Sequence, residues 1–283
     1  MRKLFFLLAL VACVGCERMG DDARSGNVTL RFVASQEAGT RATVYIGDYF
    51  SKLNIMLFDA DGEKAFDKVK TQLIDDEDFG QMNLSLAPGR YTIVAVGHSS
   101  VKSATIKSTE MVQFTASDGE KLTDTFCYCG AITVGDKPEH HDLVMSRVSA
   151  MFRLKITDDD IPESFARMKF DYTGGSANFN PSTFEGTTKS TQSENRQRDA
   201  TDTYSCFTFP YMATTCNLKM TVSALDADGN VIRQRKFDAI PVTRNKITTY
   251  TGCFFLEGDG NITQSGFGFA VNADWDGEDV FDF

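Results

Sequence analysis

Histidine occurs three times, tryptophan once and proline six times in the 283 residues. Each scarcity narrows the function. His140 and His141 are adjacent, so on a strand they face opposite ways and do not hold one metal together. His98, in Val96-Gly97-His98-Ser99, reads as a strand-end residue rather than a catalytic base. The chain also lacks a G-x-S-x-G elbow, a phosphate loop, an H-E-x-x-H pair and a dinucleotide fingerprint. A paired-carboxylate hydrolase would leave no local motif, but many acids here fall in turn-like segments, where solvated side chains belong. Basic charge is in deficit: 29 Lys and Arg stand against 39 Asp and Glu, a formal net of −10, which argues against nucleic acid as a partner. This pattern implies no cofactor and no metal, and the expected class is non-enzymatic.

What is present begins with an export signal. Arg2 and Lys3 precede an apolar run, Leu4 to Ala12, that is too short to span a bilayer and ends in small residues like a secretory signal. Cys13 and Cys16 follow, and a cysteine after small residues resembles a bacterial lipobox. Leu10-Val11-Ala12-Cys13 fits the usual pattern but leaves a very short signal; Cys13-Val14-Gly15-Cys16 starts unusually but gives an ordinary length. Cys16 is taken as the lipidated residue, with Cys13 as the alternative. An ordinary signal with incidental cysteines would instead leave the chain soluble. Each buried CH₂ contributes about 0.8 kcal/mol, so a multiply acylated cysteine would hold the mature protein to the outer membrane by its first residue. Glu17 to Asn27 has the polar composition of a spacer between lipid and body.

The 267 residues after position 16 suffice for two medium domains, and their net charge is −12, from 27 basic and 39 acidic residues. Their cysteines are Cys127, Cys129, Cys206, Cys216 and Cys253, an odd number that cannot all pair within one chain. Cys127 and Cys129 would share one face of a strand, at a spacing that is neither a zinc knuckle nor a redox pair, and read as core-filling residues. A Cys206–Cys216 bridge across a hairpin stays open.

Alternating apolar residues bounded by turn residues recur along the chain, the pattern of a sandwich or barrel. Val28-Leu30-Phe32, Leu53-Ile55-Leu57, Tyr91-Ile93-Ala95, Val144-Val148-Met151-Leu154 and Met220-Val222-Ala224 are the clearest strands. One short helix is expected at Ile161-Pro162-Glu163-Ser164-Phe165-Ala166-Arg167-Met168, with Asp160 as cap and a proline in the first turn. Ser176 to Thr203 is rich in Thr, Ser, Gln, Asn and Arg and reads mostly as a surface loop with at most one edge strand. The segment from Leu53 to Gly62 is echoed from Met220 to Gly229, each a strand running into Asp-Ala-Asp-Gly. Asp-Gly suits hairpin turns because it tolerates positive φ, and two copies imply two similar β-domains. Alternating aspartates also begin calcium loops, but the ligands that should follow are missing, so hairpin turns are expected.

These segments, in order, resemble a known family. After the lipoprotein-like signal come a strand from Asn27 to Ser35, then Thr40-Arg41-Ala42, then a strand ending in F-D-A-D-G, then Leu86-Ala87-Pro88-Gly89-Arg90-Tyr91-Thr92-Ile93-Val94-Ala95. Arg147-Val148-Ser149-Ala150 opens a second domain, and Ile240 to Gly252 follows late in the chain. The order resembles the fimbrillin-like subunits of Bacteroidales type V fimbriae, particularly their FimB-like anchor and accessory members. The resemblance implies an all-β fold of two transthyretin-like Greek-key β-sandwich domains in tandem. The corresponding division is signal 1–16, spacer 17–26, N-terminal domain 27–143 and C-terminal domain 144–283.

It also implies a structural role at the cell surface, anchoring or assembling a fimbria that supports adhesion. The implied partners are other fimbrial subunits, joined by β-strand addition, and the outer membrane through the N-terminal lipid. In polymerising members a protease cuts after an arginine behind the first strand; Arg41 matches that position, and an exposed loop arginine is the plainer reading. An anchor would keep its first strand, since cutting there would free the body from its lipid. Gly266 to Asn272 with Trp275 reads as a final sheet strand or a donor strand. The alternative function is a surface glycan-binding lipoprotein, for which Trp275, Tyr172, Tyr204 and Tyr211 would have to supply an aromatic platform.

Overall fold

The computed structural model of the chain describes residues 26–34, 45–116, 120–256, 267–270, 275 and 278–282. They form an all-β protein of sandwiches. The first comprises β1 (Val28–Ala34), β2 (Lys52–Phe58), β3 (Lys70–Leu73), β4 (Gln81–Leu84), β5 (Gly89–His98), β8 (Phe126–Val134) and β9 (Glu139–Arg147), with β6 (Thr105–Ser108) and β7 (Met111–Gln113) inserted between β5 and β8. Its strand order is β3-β2-β5-β8-β9-β1-β4. β8 and β9 pair at Phe126–Arg147 and Cys127–Ser146, and from that corner the ribbon folds into two layers.

The second sandwich comprises β10 (Ala150–Ile156), β11 (Arg167–Thr173), β15 (Gln192–Gln197), β16 (Thr203–Pro210), β17 (Thr215–Leu225), β18 (Val231–Thr243) and β19 (Ile247–Gly252). Its layers run β15-β11-β17-β18 and β16-β10-β19, the same topology as β3-β2-β5-β8 and β4-β1-β9. Here the inserts are β12 (Gly175–Ser176), β13 (Asn178–Asn180) and β14 (Glu185–Gly186), while β20 (Phe267–Ala270) and β21 (Glu278–Asp282) extend the sheet beyond β19. The stretch from Gly266 to Asn272 therefore contains a sheet strand, β20, but the final strand is β21, which follows it.

The two sets of inserts meet. β13 pairs with β7, Phe179 opposite Val112, and together with β6 and β14 they build a third sheet drawn from both halves. This sheet covers the face of β2, β5 and β8 that the first sandwich leaves open. Leu53, Ile55, Leu57, Ile93 and Ala95 point into the first core; Met56, Phe58, Val94, Val96 and Cys127 point the other way, onto Ile106, Val112, Phe179 and Phe209. Burial on both faces is why β2 and β5 carry near-continuous apolar sequence rather than clean alternation.

Three local expectations fail for physical reasons. The helix expected at Ile161–Met168 is a single turn, closed by Phe165 N–H donating to the Pro162 carbonyl, and strand begins at Arg167. Met168, Phe170 and Tyr172 alternate into the second core, and β11 is paired on both sides, which outweighs the local cap. The Ser176–Thr203 loop is instead four short strands and the start of β16, with Phe179 fully buried. It lacks apolar residues for a core of its own because the first half supplies them. The alternation from Val144 to Leu154 divides between β9 and β10.

Both Asp-Ala-Asp-Gly segments are turns. Asp59 Oδ1 accepts from the N–H groups of Asp61 and Glu63, Asp226 Oδ1 accepts from that of Asn230, and Gly62 and Gly229 take φ of 82° and 91°. The aspartates cap their own turns. Yet the first turn follows β2 and the second follows β17, whose counterpart in the first sandwich is β5. The echo reports turn chemistry, while the repeat of topology lies elsewhere.

Candidate functional site

β1 is a terminal strand seated in the middle of a sheet. It runs parallel to β9 from Val28 opposite Glu139 to Ala34 opposite Met145, and antiparallel to β4 from Val28 opposite Leu84 to Arg31 opposite Gln81. Val28, Leu30, Phe32 and Ala34 alternate inward and are buried against Leu143, Met145, Leu53 and Ile55. Burying a Val, Leu or Phe side chain contributes about 1.5–3 kcal/mol each, so withdrawal of β1 would uncover a core the domain depends on. Main-chain bonds on both sides and alternating inward side chains form a slot between β4 and β9 that one extended segment fills.

The outward side chains hold the strand in register. Arg31 Nε and Nη2 donate to Asp142 Oδ1 and Oδ2 at 2.8 and 2.6 Å, and Thr29 Oγ1 donates to Asn83 Oδ1 at 2.8 Å. The Arg31 bond, followed by one from His140 at 2.9 Å, holds the Asp142 carboxyl below its ordinary range. These pairs lie at the surface, so they fix register more than they stabilise.

The histidines fall where the sequence places them. His140 and His141 turn to Asp142 and Glu139 respectively, and no group of three metal-binding side chains occurs among the described residues. His98 ends β5 and is fully buried. Ser100 N–H donates to its Nδ1 at 3.1 Å, and its Nε2 lies 2.8 Å from Asn54 Oδ1 and 3.3 Å from the Ala104 N–H. Burial, aided by the charge of Lys52, pushes its pKa down to about 3. It is a neutral structural pin.

A second polar centre occupies the second core. Glu194 is buried beside Tyr172 and paired with Arg196, and burial raises its carboxyl pKa despite the Arg196 charge. Arg196 also faces Glu120 of the first half.

A third cluster ties the sandwiches together. Arg147 Nε donates to Asp124 at 2.9 and 3.0 Å, its Nη1 donates to Asn245, and its guanidinium lies 4.6 Å from the Phe126 ring and 3.9 Å from the Trp275 ring. Ser149 Oγ donates to Asp124 and accepts from Thr125 N–H. Burial raises the Asp124 pKa; Arg147 and Ser149 work against that rise.

Trp275, Tyr172 and Tyr204 are buried and offer no exposed aromatic platform. Cys127 fills the shared core, Cys129 packs against it from the same face, and Cys206 and Cys216 are free thiols on strands of different sheets. Cys13, Cys16 and Arg41 lie outside the described residues. Among the described residues no helix is long and apolar enough to cross a membrane.

Fold and slot together define a tandem β-sandwich protein whose N-terminal strand completes its own first domain. The chain belongs to a family of unknown function, DUF6562, whose model matches residues 20–282. Among solved structures it is similar to a candidate adhesin from Bacteroides ovatus, at 13% identity over 73% of this chain and 76% of that one, with a TM-score of 0.49. It is also similar to the fimbrial anchor protein Mfa2 from Porphyromonas gingivalis, at 13% identity over 75% and 82%, TM-score 0.42. A fimbrial assembly protein from Parabacteroides distasonis aligns at 11% identity over 75% and 85%, TM-score 0.38. No curated protein matches the chain.

Proposed function

We propose that this chain is a non-catalytic anchor or accessory subunit of a cell-surface fimbria that supports adhesion. Lipid on Cys16 holds it to the outer membrane, and β-strand addition joins it to neighbouring subunits. The seat of β1 carries the reading: an N-terminal strand, apolar on its inner face and paired on both sides, occupies a slot of the kind a donor strand could fill. The order of segments shared with fimbrial anchor and accessory members supports the same assignment, as does the lipobox-like Cys13-Val14-Gly15-Cys16.

Intact mass measurement with N-terminal peptide mapping, on protein taken from its native outer membrane, tests this. The expected result is an acylated Cys16 still joined to an uncut 27–42 segment, as an anchor requires. A mature start at Ala42 would replace the anchor with a polymerising subunit. An unlipidated start elsewhere would remove the membrane tether.

A further inference from the structure

We infer that the two sandwiches form a clamp that bears tension in shear between the N-terminal end of β1 and the far end of β19. That such tension acts in the cell rests on the tethered-subunit reading; the resistance rests on strand order alone. A pull from the N-terminal side enters β1 at Val28, whereas the path into the second sandwich leaves the first at Arg147, the end of β9. β1 and β9 are parallel neighbours, so Val28 and Arg147 stand at opposite ends of the pair. Tension between those ends slides one strand along the other. The bonds between the strands lie across the pull and have to yield together. Tension applied at the same end of both strands would open them one bond at a time.

The arrangement is repeated. β10 starts at Ala150 and runs parallel to β19, from Met151 opposite Ile247 to Ile156 opposite Gly252, so load entering at Ala150 and leaving beyond Gly252 again acts in shear. β21 continues the same sense beside β19. The exit from β19 is pinned: Asp158 accepts from the N–H groups of Phe254, Phe255 and Leu256, and Arg235 donates to the carbonyls of Cys253, Phe254 and Leu256. Between the sandwiches the β7–β13 pairing and the Arg147 stack brace the junction, so the covalent link at Val148-Ser149 does not carry the load unaided.

Single-molecule pulling on the full chain tests the clamp through geometry, with every native contact kept. One protein carries handles before Gly26 and on a non-natural side chain at the exposed Leu256, just past β19; a second carries them before Gly26 and on the turn between β8 and β9. That turn places the second handle beside Glu139, at the same end of the pair as Val28. Attachment through a non-natural side chain at Lys137 inserts no residues, and thermal melting verifies that both proteins keep the native stability. At equal loading rate the first rupture is expected at a severalfold higher force in the end-to-end geometry. Equal rupture forces would overturn the clamp, whatever the mass measurement says of the lipid.

Discussion

His98 couples the first sandwich to pH in a direction that can be worked out. Its pKa is about 3 in the fold against 6.5 when unperturbed, so between those values the unfolded chain binds the extra proton. The fold has its full stability above pH 6.5 and loses it as pH falls toward 3. From pH 7 to pH 5 the loss is about 2 kcal/mol. Urea titrations at the two pH values should show it, and His98→Gln, which does not titrate, should flatten the difference while costing some stability at neutral pH. Arg147 gives a second residue-level expectation. Arg147→Ala leaves the partly buried Asp124 without its cation and should destabilise by about 1.5–3 kcal/mol. Arg147→Lys keeps the charge but loses the planar stack between Phe126 and Trp275, and should fall between the variant and wild type in chemical denaturation. The position of His98 at a strand end was legible in Val96-Gly97-His98-Ser99. Its partner was not, because Asn54 is far away in the chain and nothing local marks it.

At the scale of elements, β1 divides side chains that stabilise from side chains that set register. Leu30→Ala should cost about 2–5 kcal/mol, since Leu30 is fully buried between the layers. Arg31→Ala should change the melting temperature little while allowing β1 to exchange faster, which amide hydrogen exchange of Val28 to Ala34 would detect. Equal effects of the two substitutions would remove the distinction. The strands read from strict alternation, Val28-Leu30-Phe32 and Met220-Val222-Ala224, were legible because one face is core and the other is not. The strands around Phe179 were illegible for the opposite reason: their core belongs to another part of the chain. Phe179, set among Ser, Asn and Thr, reads as loop until Val112 stands opposite it. The same logic explains the missing helix, where a local cap at Asp160 lost to pairing of β11 with β15 and β17.

For the whole molecule the issue is whether two sandwiches mean two independent folding units. Tandem domains joined by a linker unfold separately, because few contacts cross the boundary. Here the boundary is crossed by a sheet built from both sets of inserts. A core joins Met56, Val94 and Val96 of the first half to Phe179 and Phe209 of the second. Losing either sandwich would strip one face from that core and leave the fully buried Phe179 exposed, a cost of about 1.5–3 kcal/mol for that side chain alone, a sizeable part of a domain's marginal stability. The wild-type protein should therefore melt in one calorimetric transition whose calorimetric and van't Hoff enthalpies agree. Phe179→Asp places a charge in the shared core and should split the transition in two, with the amides of β2 and β5 separating in exchange rate from those of β11 and β17. Two transitions in the wild type would mean that the shared sheet is a contact between finished domains. A single transition that survives Phe179→Asp would place the coupling at the Arg147 junction instead, where Arg147→Ala should then produce the split.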